Sequence, residues 1–413
     1  MNRNLVAQKL VYHCRLWMML VFLNLMTIRG LGQTNEIFNE SVASLQVVAG
    51  DDWLSPPIVK LEGEPMNISF DYLSHDYHRF TYKIEHCEAD WSTTTQLFAS
   101  DYIDGFAEGN TIEDLEKSLN TKVLYTHYKL QIPNEKCKIK MSGNYRLTVL
   151  DENNDNQKIL SVCFMVVEPL AAIHLSVSTN TDLDINGKYQ QVNMEAKYGM
   201  LQVTDPLSQI KVVVMQNGQY VMPDGLRWEH NKQLIFDAGN EYRKFETLDV
   251  HHTTMGLESV QWDGTDYHAY IWPDEPRPSY VYDEDADGAF YIRNSNNNDN
   301  NTTSEYQIVH FRLRAPQQEG PVYLNAVWTN DQFTPEYKLT YNEKDQIYET
   351  ALLLKQGYYS YQYLVKKDDQ STAPVNSEGS YFQTENQYQA LLYFRGPGER
   401  TDRLVGYQQV RYR

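Results

Sequence analysis

Apolar and polar positions alternate with period two along much of the chain. Phe80, Tyr82, Ile84 and His86 take turns with Thr81, Lys83 and Glu85. Such alternation sends successive side chains to opposite faces of a half-buried strand. It recurs where Tyr145, Leu147 and Val149 interleave with Arg146 and Thr148, and where Val162, Phe164 and Val166 interleave with Ser161, Cys163 and Met165. Val309, Phe311 and Leu313 repeat it, as do Val322, Leu324, Ala326 and Trp328; residues 358–365 and 390–394 close the series. Residues 210–215 form a denser apolar run, suited to a central strand. Turn-forming clusters stand between these runs at 151–156, Asn217-Gly218, Pro223-Asp224-Gly225 and 342–346. The spacing predicts an all-β chain of antiparallel β-sandwiches. One short helix is expected after Thr111, with Ile112, Leu115 and Leu119 on its apolar side.

At 413 residues the chain is too long for one sandwich, and two or three domains are expected. Residues 1–33 read as an export signal: Arg3, Lys9 and Arg15 precede an apolar run from Leu16 to Ile28, and Gly30-Leu31-Gly32 supplies small residues before a cleavage point near Gln33. The run is too short to span a bilayer. Glu168-Pro169-Leu170 marks one seam, and the polar run 294–301 (NSNNNDNN) reads as a mobile loop. The expected division is 1–33 signal peptide, 34–168 N-terminal sandwich, 169–303 middle β domain and 304–413 C-terminal sandwich with tail. A turn or linker is expected at 315–321.

Charge narrows the partners. The formal net charge is −19, and removing residues 1–33 takes away four basic residues and no acidic ones, leaving −23. That excludes nucleic acid as a main ligand, since phosphate neutralisation needs a basic face. Beyond the signal, no stretch approaches the roughly 18 apolar residues of a spanning helix. Cys87, Cys137 and Cys163 remain; one disulfide with a free thiol, or no disulfide, are both open.

Candidate chemistry is sparse. Asp283-x-Asp285-x-Asp287-Gly288 and Asp182-x-Asp184-x-Asn186-Gly187 have the spacing of calcium loops, without the twelfth-position Glu; ordinary Asx turns share that spacing. No GxSxG, HExxH, GxGxxG or P-loop occurs, and no enzyme activity or other cofactor is expected. Tyr359, Tyr361 and Tyr363 share one strand face, as inter-sheet packing or as a platform for a protein or a glycan.

Longer stretches carry a resemblance. They include Tyr82-x-Ile84-x-His86-Cys87-x-Ala89-Asp90-Trp91, Asp101-Tyr102-Ile103-Asp104-Gly105-Phe106, Ser118-x-Asn120-Thr121 and Tyr125-Thr126-His127-Tyr128. Further on come Tyr242-Arg243-x-Phe245-Glu246, Asp285-x-Asp287-Gly288, Glu378-Gly379-Ser380-Tyr381-Phe382 and Tyr393-x-Arg395-x-Pro397-Gly398-x-Arg400-x-Asp402-Arg403. In these, from about residue 40 to 410, the chain resembles the plug-protein family of the Bacteroidota type IX secretion system. The resemblance implies a periplasmic all-β protein, associated with the outer membrane through its partner. It would bind the periplasmic opening of the large translocon barrel and seal the pore until cargo arrives. The third segment is also similar to the immunoglobulin-like early-set domains found beside carbohydrate-binding modules. The fold expected is thus tandem immunoglobulin-like or early-set sandwiches, with a periplasmic glycan-binding module as the alternative function. Within the first domain, Trp91, Asp101, Tyr102 and Phe106 are the expected partner contacts, because their loops combine aromatics with acids; the other reading of Trp91 is a core position with Cys87 packed beneath it.

Overall fold

The computed structural model describes residues 34–220, 234–280, 284–369 and 371–412. The expected signal peptide and the Pro223-Asp224-Gly225 turn lie outside the described residues. Period-two runs became strands wherever they were long. Phe80–Cys87, Gly143–Asp151 and Gln157–Val167 lie side by side in one antiparallel sheet. A second sheet runs in the order Val42–Ala49, Met66–Tyr72, Thr126–Ile132, Asp114–Lys117. Between the two lies an aromatic core of Phe70, Phe80, Tyr82, Tyr128, Tyr145 and Phe164 with the aliphatic residues around them. The helix expected after Thr111 is instead the strand Asp114–Lys117, paired antiparallel with Thr126–Lys129. A neighbouring strand with free backbone groups outweighs local helix propensity there.

Two further sandwich cores follow, and they do not respect the expected seam at 303. Phe245, Leu257 and Ile271 share one hydrophobic cluster with Phe311, Leu324 and Tyr361. One of its sheets runs Leu257–Trp262, Tyr267–Ile271, Tyr306–Arg314, Ile347–Lys355, Thr340–Asn342; the other is centred on Gly357–Lys366. The remaining core is built from both ends of the segment around this one. Ile210–Gln216 pairs with Asn386–Phe394, which pairs with Arg403–Tyr412. This sheet faces Ala172–Ser178, Tyr189–Lys197 and Leu234–Asp237 across Ile173, Val192, Val212, Val214, Ala390 and Leu392. For brevity these are the first, third (243–375) and second units. Most pairings are antiparallel; Ile58–Lys60 with Met165–Val167, and His268–Tyr270 with Ile308–His310, are parallel.

The first and second units pack sheet on sheet. In Gln157–Val167, Val162, Phe164 and Val166 enter the first core, while Cys163, Met165 and Val167 face the other way. There they meet Val213, Met215, Leu391, Tyr393 and Leu404 of the second unit. The seam at Glu168-Pro169-Leu170 is not free: Glu168 N donates to Leu404 O at 3.0 Å and Leu170 N to Val405 O at 2.9 Å. The run 294–301, read as a mobile loop, is closely bonded. Asn294 is buried, its amide donates to Thr303 Oγ1 at 2.9 Å, and its N–H donates to Asn300 Oδ1 at 3.1 Å. Asn side chains satisfy such backbone turns without a hydrophobic core. Asn217-Gly218 forms the expected hairpin turn, with φ of +51° and +75°.

Candidate functional site

The stretches that carried the resemblance converge on the joints between units. At the first joint, Glu88 of the strand-following loop accepts from Arg395, from Thr401 Oγ1 at 3.1 Å and from Asp402 N at 3.0 Å. Asp402 in return accepts from Ala89 N at 3.1 Å, Lys211 Nζ at 2.7 Å and Arg395 Nε at 3.0 Å. Burial alone would raise the Asp402 carboxyl; the Lys211 ammonium, followed by the Ala89 amide and Arg395, holds it below the usual range. Tyr393 Oη donates to Asn144 Oδ1 at 2.8 Å. Gly143 has φ +147°, and a Cβ there would lie 2.3 Å from His86 Nε2, so only glycine lets the two strands close.

The second joint crosses from the first unit to the third. Asp71 is fully buried and accepts from Lys355 Nζ at 2.6 Å, Tyr306 Oη at 2.7 Å and His127 Nδ1 at 2.6 Å. Lys355 sits 4.0 Å from the Tyr125 ring centroid and donates to Asn301 O at 2.7 Å. Burial opposes ionisation of Asp71, but the Lys355 charge and then His127 outweigh it and keep the carboxyl below its ordinary value. Because a carboxylate only accepts, His127 Nδ1 must donate to it. The stretch 118–125 docks alongside, with Tyr125 Oη donating to Ser304 O at 2.8 Å and Leu119 N to Thr302 O at 2.8 Å.

A third cluster joins the second and third units. Glu241, Asp285, Asp287 and Glu385 gather near Arg411, which pairs with Asp287 at 2.9 Å and Glu385 at 3.2 Å. Burial first, then Asp285, pushes Glu241 up to about 10. Burial and Asp285 also push Asp287 up to about 7, against the pull of Arg411. Nearby, Glu378 accepts from Arg243, from Arg277 Nη2 at 2.8 Å and from Tyr280 Oη at 3.2 Å.

These placements settle where the expected site residues lie. Trp91 is 2% exposed and packs in the apolar layer between the first and second units, so it is no surface contact. Its φ of +66° is held by its N–H donating to Glu88 O at 2.9 Å and by Arg146 donating to its carbonyl at 3.1 Å. Tyr102 is likewise buried, against His86 and Tyr145. Tyr359, Tyr361 and Tyr363 fill the third core; Tyr361 and Tyr363 both donate to Asp274 Oδ2, at 2.8 and 2.7 Å. Their stripe is packing because Gly357–Lys366 is covered on both faces over most of its length. Asp101 and Phe106 do reach solvent, Phe106 at 70% exposure. Asp101 accepts from Phe98 N and from Arg400, both at 2.9 Å, and these hold its carboxyl low.

Of the two acidic turns, the first is bonded locally: Asp184 accepts from Lys188 N at 2.8 Å, Asn186 accepts from Thr179 Oγ1 at 2.7 Å, and Asp182 N donates to Gln191 Oε1 at 3.2 Å. Asp285 accepts from Asp287 N at 2.7 Å and also from Tyr242 N, while Asp283 lies outside the described residues. Among the described residues no three His, Cys, Asp or Glu side chains are arranged to hold a metal ion. Sequence reading missed Phe98, which is 74% exposed beside Asp101. Its only signal was a lone aromatic in the polar stretch 92–101.

Residues 42–168 match the family described as type 9 secretion system plug protein 1st domain. The whole fold matches the crystal structure of a hypothetical protein from Parabacteroides merdae ATCC 43184, with 36% identity and a TM-score of 0.85, over 92% of this chain and 100% of that one. The chain belongs to the type 9 secretion system plug family. Plug-family membership ties it to type 9 secretion and to the cell envelope. A marsupial T cell receptor aligns over 90% of this chain and 99% of its own at 10% identity, with a TM-score of only 0.16. No curated protein matches. Among the described residues no helix is long and apolar enough to cross a membrane.

Proposed function

We propose that this plug-family protein binds the periplasmic opening of the outer-membrane translocon barrel and closes its pore until cargo arrives. The observation that carries the proposal is the pair Phe98 and Phe106, 74% and 70% exposed on the unit that matches the plug domain. Exposed aromatics beside acidic side chains, here Asp101 and Asp104, suit a contact that must be specific and yet reversible. The bonded joints present this corner on a stiff body. The strongly acidic chain calls for basic residues at the barrel mouth, which speed encounter and orient it.

The test is affinity purification of the tagged chain from its own outer membrane in mild detergent, followed by mass spectrometry. A very large barrel subunit should be recovered with the native chain. The Phe98→Asp/Phe106→Asp variant should retain its thermal midpoint and lose about tenfold or more of that recovery. Recovery of the native chain alone, with the barrel intact in the same extract, would overturn stable plugging.

A further inference from the structure

The outer face of the Val42–Ala49/Met66–Tyr72/Thr126–Ile132 sheet is only half covered by the third unit. The covered half holds Asp71 and Lys355. The open half is the floor of a trough of about 520 Å³ that runs on into a second hollow of about 470 Å³. The two share Gln46, Asp51, Asn67, Lys129 and Asn301, so they adjoin as one cleft region beside the third unit's loop. At its far end Trp53 stands 5.5 Å from Tyr291 and 5.8 Å from Tyr358, centroid to centroid, with Tyr291 39% exposed.

We propose that this cleft is a binding site for a neutral oligosaccharide. The two central floor strands, Met66–Tyr72 and Thr126–Ile132, are each paired on both sides, so an extended peptide lying over the floor cannot join them as an extra strand. Recognition falls to side chains. Asn67, Ser69 and Gln131 both donate and accept, which matches the dual character of sugar hydroxyls. Carboxylates outnumber ammonium groups on the lining, Asp51, Glu113, Asp114 and Glu135 against Lys129 and Lys136, and both lysines already face carboxylates. That disfavours phosphates and acidic glycans. The aromatic end offers flat faces to the apolar side of a sugar ring.

A separate observation concerns a buried polar atom beside the cleft. His127 lines the cleft and is 5% exposed; its Nδ1 is fixed by Asp71, while its Nε2 is buried with no hydrogen-bond partner. A buried polar atom left alone is costly, and a hydroxyl in the cleft would answer it. The site is independent of the Phe98–Phe106 corner, so the fate of the plugging proposal does not decide it.

The experiment is isothermal titration of the full exported chain with cellohexaose, xylohexaose, mannohexaose and chitohexaose, and with hexagalacturonate as the acidic control. At least one neutral hexasaccharide should bind with a Kd below about 1 mM, and hexagalacturonate should not. Ser69→Trp, which fills the floor, should weaken that binding by about tenfold or more. Trp53→Ala should weaken it as well, and it decides the matter if Ser69→Trp fails to fold. No binding by any neutral probe, preference for hexagalacturonate, or binding untouched in the folded variants would each overturn the proposal.

Discussion

Titratable side chains at the joints sit in places water does not reach, and Glu241, which burial keeps protonated, is the case with a pH signature. Its folded value is raised, to about 10, above that of an unfolded glutamate near 4.3. The folded chain therefore binds this proton more tightly than the unfolded chain does. The stabilisation is complete below the unfolded value and declines as pH rises toward the folded one. Asp287, raised to about 7, adds the same sign over a narrower window. The thermal midpoint of the native protein should fall between about pH 6 and pH 9. Glu241→Gln, neutral throughout, should show a shallower fall, and scanning calorimetry across that range reads it. Parallel slopes for the two proteins would contradict this account.

Strands bring a different lesson. Gln157–Val167 is buried on both faces from Ile159 onward because it serves two cores at once. Met165→Ala removes a fully buried side chain from the layer between the first and second units. The expected loss is about 2–5 kcal/mol, read by urea unfolding. A loss below about 0.5 kcal/mol would show that the layer couples nothing. The long alternating runs were legible in advance, since period two survives any tertiary arrangement. Phe80–Cys87, Gly143–Asp151 and Tyr306–Arg314 appear where they were expected. What the pattern could not show was the partner of each face. Trp91, Tyr102 and the tyrosine stripe have the composition of a binding surface, yet other sheets cover them. The Asp114–Lys117 strand was hidden for the same reason: its pairing partner lies beyond a turn, outside any helical window. Phe98 and Phe106 show the reverse effect, standing 74% and 70% exposed among the described residues.

At the scale of the whole molecule, the second unit is discontinuous. Ile210–Gln216 has Asn386–Phe394 as its neighbour, with the entire third unit lying between them in sequence. A chain ended at residue 385 loses Asn386–Phe394 and Arg403–Tyr412 together, along with Leu391, Tyr393 and Leu404 of the inter-unit layer. We expect it to lose the second core, with the melting enthalpy dropping well beyond the share of residues removed and the midpoint falling by several degrees, on the order of 5 °C or more. A truncated chain that melts like the full one would refute the shared core.

The three thiols also bear on how such a protein matures. Burial raises Cys87 to about 12 and Cys137 to about 11, and raises Cys163 too, so the folded protein offers oxidants no thiolate to attack. Cys87 and Cys163 lie on strands either side of Gly143–Asp151, one full strand apart. Two inter-strand spacings come to about 9.5 Å, beyond the reach of a disulfide. A bond made between them before the sheet assembles would leave no room for the strand that belongs in the middle. In an oxidising envelope, productive maturation is therefore a race that the central strand has to win.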